Sequence, residues 1–215
     1  MKPKEWLKRG RIVAIVRGLP GKYILPLSEA IFAGGIDMIE VTFNQSLPET
    51  WQETQRAIYD IASRFSDPIM VGAGTVMTLE QLHMAQEAGA KFFVSPNVNA
   101  EIIHAAKAMD MGAFPGAMTS SEAAAAYRAG ADAVKLFPAG NLGVGYLKAL
   151  SAPLSNIDFI AVGGINEQNA GDFLHAGAIG VGIGGNLVNR EWIEAGAFSK
   201  ITELALKYRK AVDQA

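Results

Sequence analysis

The sequence predicts an α/β fold, a (β/α)8 TIM barrel in one domain opened by a short N-terminal helix, and two observations carry that prediction. Eight short apolar runs recur at intervals of roughly 20–30 residues, with helical patterning between them. Each run is near-continuous in apolar character, as in a parallel strand whose outer face is covered by helices. Eight such repeats favour closure into a barrel. A doubly wound open sheet is the alternative, but no G-x-G-x-x-G follows the first run.

In chain order the strands are IVAIV (12–16), DMIEV (37–41), PIMVGAG (68–74), KFFVS (91–95), GAFPG (112–116), AVKLF (133–137), DFIAVGG (158–164) and IGVGIGG (179–185). Helices are expected over 22–33, 48–63, 79–88, 100–109, 120–129, 144–150 and 167–175, with a last one over 192–212. Thr78 stands three residues before Gln81, and Thr119 three before Glu122, which is capping-box spacing. The endings AGG, EAGA, RAGA and HAGA place glycine where a helix exits through the left-handed region. A helix over 3–9 precedes the first strand and is expected to plug the bottom of the barrel.

Composition narrows the function classes. The chain has 215 residues, 50% of them hydrophobic, enough for one domain (1–215) with a large core. Its net charge of −2, without a basic cluster, gives no footing for nucleic acid or an anionic membrane surface. The absence of cysteine excludes thiolate chemistry and disulfides. No apolar run approaches the ~20 residues that span a bilayer. The start MKPKEWLKRG lacks the apolar core of a signal peptide. The expectation is a cytoplasmic protein acting on a small molecule.

Barrel chemistry sits at the carboxyl ends of the strands, on side chains of inward parity. Polar residues there are Arg17, Glu40 and Thr42, Thr75, Ser95-Pro96-Asn97 and Lys135, and the last two strands end in Gly163-Gly164 and Gly184-Gly185. Lys135 is a lone cation in AVKLFP. Facing inward, it would lose solvation, which lowers an amine pKa and frees it to attack a ketone and form a Schiff base. Facing outward, it would run its stem to water or pair with Glu40. Glu40, in GGIDMIEVTFN, suits proton shuttling at an imine, or a structural pairing with Arg17 or Lys135. The glycine pairs let backbone N–H groups approach an anion and suit a phosphate, or serve turn geometry alone. His83, His104 and His175 fall within predicted helices, and no metal-ligand spacing or cofactor motif is present.

GGIDMIEVTFN, VGAGTV, FFVSPN, PGAMTSSEA, AVKLFPA and AVGGI occur in order across nearly the whole chain. Together they resemble the 2-keto-3-deoxy-6-phosphogluconate / 4-hydroxy-2-oxoglutarate aldolases. The resemblance implies a homotrimeric barrel that uses a Schiff-base lysine and no metal, and that cleaves 2-keto-4-hydroxy acids to pyruvate and an aldehyde. It puts the imine lysine on Lys135 and the proton-shuttling glutamate on Glu40. The pyruvate contact falls on Thr75, the turn proline on Pro96, the aromatic beside the imine on Phe137 and the strand-one arginine on Arg17. Phosphate-site glycines fall on Gly163, Gly164 and Gly184. Two positions depart from the gluconate pattern: Asn44 stands where an arginine is common, and Gly185 where a serine is. With AVGG in place of PTGG, these features are closer to the 2-keto-3-deoxy-6-phosphogalactonate branch. A phosphosugar isomerase or epimerase, or a non-catalytic sugar-phosphate binder, would use the same glycine pairs.

Overall fold

The computed structural model describes residues 1–65 and 67–215. Among the described residues nine parallel strands form one sheet: β1 (Ile12–Arg17), β2 (Met38–Thr42), β3 (Met70–Gly74), β4 (Phe92–Val94), β5 (Gly112–Phe114), β6 (Gly116–Ala117), β7 (Val134–Leu136), β8 (Phe159–Val162) and β9 (Ala178–Ile183). Their order is β5-β4-β3-β2-β1-β9-β8-β7-β6, so the sheet curls until its two ends are joined by Pro115. The predicted fifth strand is therefore two. Proline has no N–H to give to a ladder, and the strand changes partners there: β5 pairs with β4 and β6 with β7. The barrel is the (β/α)8 fold that the sequence predicts, closed by the chain itself at one seam.

Strand parity divides the core in two. Met38, Met70, Phe92, Phe114, Ala133 and Ile160 fill the barrel interior with Leu7. Ala14, Ile39, Val71, Phe93, Val134 and Leu136 face the helices. Interior space is shared between large and absent side chains. A Cβ on Gly72 would come within 2.5 Å of the Phe92 ring, and one on Gly182 within 2.9 Å of Val162.

Helix α1 (Pro3–Gly10) closes the bottom as expected. A Cβ on Gly180 would lie 2.7 Å from Leu7, and one on Gly112 2.6 Å from Pro3, so strand glycines make the seat for the plug. Lys4 and Lys8 pair with Asp158 at 2.6 and 3.2 Å, and Arg9 with Asp37 at 2.6 Å, tying the plug to the barrel rim.

The outer helices are α2 (Ile24–Ala33), α3 (Trp51–Arg64), α4 (Leu79–Glu87), α5 (Ala100–Ala108), α6 (Ser120–Arg128), α7 (Ala139–Leu142), α8 (Val144–Ser151), α9 (Ala170–His175), α10 (Arg190–Glu194) and α11 (Phe198–Asp213). Both capping boxes form, Thr78 with Gln81 and Thr119 with Glu122. The predicted helix over 192–212 is two helices, because Gly196 takes φ 70° and turns the chain between α10 and α11. The short α7 has no counterpart among the helices expected from sequence, and the helix expected from 167 begins at Ala170. No helix among the described residues is long and apolar enough to cross a membrane.

Candidate active site

Lys135 lies between two outward-facing residues, Val134 and Leu136, so its own side chain enters the barrel. Its backbone N–H donates to the Pro115 carbonyl at 2.9 Å, which seats the strand at the seam. Only 7% of the residue is exposed. Nζ stands 5.0 Å from the centroid of the Phe137 ring. That ring packs in turn on Gly163, where a Cβ would come within 2.9 Å of it.

Glu40 reaches the same interior from β2, between outward-facing Ile39 and Val41, and is 3% exposed. Its carboxylate lies over Gly74 of the neighbouring strand, in the space any larger residue there would fill. None of the ion pairs among the described residues, each with N–O no longer than 4.0 Å, joins Glu40 to Lys135. The two groups still feel each other's charge. Burial pulls the Lys135 amine below the usual lysine range, the Glu40 carboxylate opposes that pull, and the Arg17 cation adds to it. Burial pushes the Glu40 carboxyl above the usual range, against Lys135 and then Arg17. Each neutral form is thereby favoured, and a neutral amine is the nucleophilic one.

The rim holds the remaining residues. Arg17 ends β1 in register with Thr42. Thr75 follows β3 with φ 55°. Pro96 lies over β6, where a Cβ on Gly116 would come within 2.6 Å of the Pro96 carbonyl. Asn44 is engaged in its own loop: its side-chain Oδ1 accepts from the Ser46 N–H at 3.0 Å, and its backbone carbonyl accepts from Trp51 Nε1 at 2.8 Å. Gly163 and Gly164 take φ 89° and 73°, and the Gly163 carbonyl accepts from Gly140 N–H at 2.7 Å. Gly184 and Gly185 have open space where a Cβ would stand. The chain turns there through 184–188, and α10 begins only at Arg190, so neither glycine pair leads straight into a helix.

Three features of the site escaped the sequence reading. In sequence Gly74 reads as one more strand residue, although VGAGTV carries two inward glycines at period two. Thr42 reads in sequence only as polar, whereas in the fold its hydroxyl is buried with no hydrogen-bond partner among the described residues. Gln45 and Gln81 form a clasp on Thr75 that no local pattern announces.

A barrel that holds a desolvated amine and a carboxylate together at the carboxyl ends of its strands has the equipment of an imine-forming lyase of the class I aldolase kind. Comparison with known proteins gives the particular family. The family model for KDPG and KHG aldolase matches residues 4–204. The 2-dehydro-3-deoxy-6-phosphogalactonate aldolase of Escherichia coli K12 is 35% identical over 215 residues, covering 97% of this chain and 99% of the relative. The KHG/KDPG aldolase of the same strain is 35% identical, covering 97% and 94%. Among solved structures, KDPG aldolase from Legionella pneumophila, with pyruvate captured as a covalent carbinolamine, superposes with a TM-score of 0.85 at 31% identity, covering 96% of this chain and 97% of that one. The chain belongs to the KDPG and KHG aldolase family.

Proposed function

We propose that this protein is a class I aldolase that cleaves a 2-keto-3-deoxy-6-phospho sugar acid, or 4-hydroxy-2-oxoglutarate, to pyruvate and an aldehyde, with Lys135 as the imine-forming residue. The single observation that carries the reading is the Lys135 amine, buried at the barrel mouth and drawn toward its neutral form with Glu40 nearby.

The residues divide the chemistry as follows. The neutral Lys135 amine attacks the C2 ketone to give a carbinolamine, and loss of water gives the iminium. Glu40, acting through a water, takes the proton of the C4 hydroxyl. The C3–C4 bond breaks, its electron pair passes into the iminium as an enamine, and the C4 carbon leaves as the aldehyde. Protonation at C3 and hydrolysis of the imine release pyruvate and regenerate the amine. Glu40 suits both directions of proton transfer because burial raises its pKa while the Lys135 and Arg17 cations hold it down, so that both the acid and the carboxylate are within reach. Thr75 and Arg17 would hold the pyruvyl carboxylate, with Pro96 and Phe137 walling the imine. Gly163, Gly164, Gly184 and Gly185 would receive the phosphate. Asn44 and the sequence AVGG favour a galactonate-type substrate over its C4 epimer. A homotrimer in the cytoplasm fits the same reading.

Incubation with pyruvate and borohydride should leave a stable adduct on the peptide carrying Lys135, with loss of aldol cleavage. An unmodified Lys135, or full activity in Lys135→Ala, would overturn the assignment.

A further inference from the structure

Thr75 holds a left-handed backbone conformation at φ 55°, which a β-branched residue keeps only where its surroundings impose it. Its carbonyl accepts from Gln45 Nε2 at 2.7 Å. Gln45 Oε1 in turn accepts from Gln81 Nε2 at 3.2 Å. Gln81 is fully buried, and its Oε1 takes the backbone N–H groups of Met77 at 2.7 Å and Thr78 at 3.3 Å.

Backbone groups at both ends set the polarity of this relay. The N–H groups of Met77 and Thr78 can only donate, so Gln81 presents oxygen to them and its amide nitrogen to Gln45. The Thr75 carbonyl can only accept, so Gln45 presents its nitrogen there. Every amide orientation along the path agrees. Gln45 is itself exposed, neither core nor helix cap, and its two polar ends both serve the turn at Thr75.

We propose that Gln45 is a positioning residue for the reaction: its amide, braced by Gln81, holds the left-handed turn that presents Thr75 to the pyruvyl end of the substrate. The proposal rests on the aldolase reading for its consequence, but the clasp itself does not. Because Thr75 would contact the pyruvyl group before and during bond cleavage alike, loss of the clasp weakens binding more than turnover.

Two variants test this. Gln45→Met keeps the length and loses both hydrogen bonds. Gln45→Glu keeps the acceptor for Gln81 but cannot donate to Thr75. In both, the pyruvate concentration for half-maximal borohydride trapping should rise about three- to tenfold, as for one lost hydrogen bond. The maximal trapping rate should stay within about twofold. Melting midpoints should stay within about 2 °C, as for surface substitutions. Hydrogen exchange at the Met77 and Thr78 amides should quicken in Gln45→Met. Parental trapping in either variant, or a loss of trapping that merely follows melting, overturns the proposal. If the parent protein traps no pyruvate, the aldolase reading falls and amide exchange alone decides the clasp: unchanged exchange overturns it, faster exchange upholds it.

Discussion

The carboxylate of Glu40 occupies the place that a side chain on Gly74 would take, one strand away. The pair explains why a charged residue can enter a barrel interior already filled by Phe92, Met38 and Met70. The missing Cβ on β3 leaves a slot into which a β2 side chain folds, with its carboxylate toward the mouth. The same slot makes the acid's position depend on a residue with no chemistry of its own.

Gly74→Ala should therefore act like an active-site mutation. The added methyl forces Glu40 out of its slot, at a cost of about 1–3 kcal/mol in stability as for other overpacked cores. Turnover should fall by about 10²–10⁴, the range for a misplaced general acid–base group. Thermal melting and kcat of the variant check both parts. Wild-type turnover would show that Glu40 needs no fixed place.

Opposite shifts are expected from the two charges that flank Lys135. The amine must be neutral to attack, so trapping rises as pH passes upward through its folded-state pKa, which burial sets below the ordinary 10.5. Glu40 stabilises the ammonium, and Glu40→Gln should move that limb to lower pH. Arg17 disfavours the ammonium, and Arg17→Leu should move it to higher pH. The lowered pKa also gives a sign for stability: the stabilisation from a neutral buried Lys135 is full above the ordinary 10.5, shrinks as pH falls below it and is gone once pH has fallen through the folded value. Pyruvate trapping rate against pH, for the three proteins, reads the order of the limbs.

The last strand offers a gain of function. A side chain on Gly185 meets open space, and the residue takes no left-handed φ. Gly185→Ser should fold unchanged, within about 0.5 kcal/mol. If the phosphate lies there, the hydroxyl should lower KM for a phosphorylated aldol by about two- to tenfold, the worth of one hydrogen bond. KM for an unphosphorylated aldol should not move, and equal effects on both would place the phosphate elsewhere.

Leu7→Ala tests the plug. Leu7 is 1% exposed and packs against Gly180 and the interior cluster. Truncation should cost about 2–5 kcal/mol, as for other buried leucines. The site lies at the far end of the barrel, so kcat well below the melting temperature should hold within about twofold. A selective loss of kcat with an unchanged melting curve would show that the plug shapes the site.

The sequence by itself determined the barrel class, the order of most strands and helices, and the place of Lys135 and Glu40 within apolar strands. Those properties are local: an apolar run with one charge reads as a strand wherever it folds, and Thr78 and Thr119 announce their helices within one turn, whereas the barrel alone decided that Lys135 and Glu40 face inward, since Val134, Leu136, Ile39 and Val41 pack against the helices. Tertiary structure alone decided the split of the fifth strand, because Pro115 breaks a ladder only once β4 and β7 lie on either side of it. It alone decided that Gly74 belongs to Glu40, since a missing Cβ acquires meaning from the neighbour that enters its space. The Gln45 relay is of the same kind. A glutamine amide reads as an exposed polar residue until folding brings the Thr75 carbonyl within 2.7 Å, because hydrogen-bond partners that are thirty residues apart in sequence are chosen by packing and not by pattern.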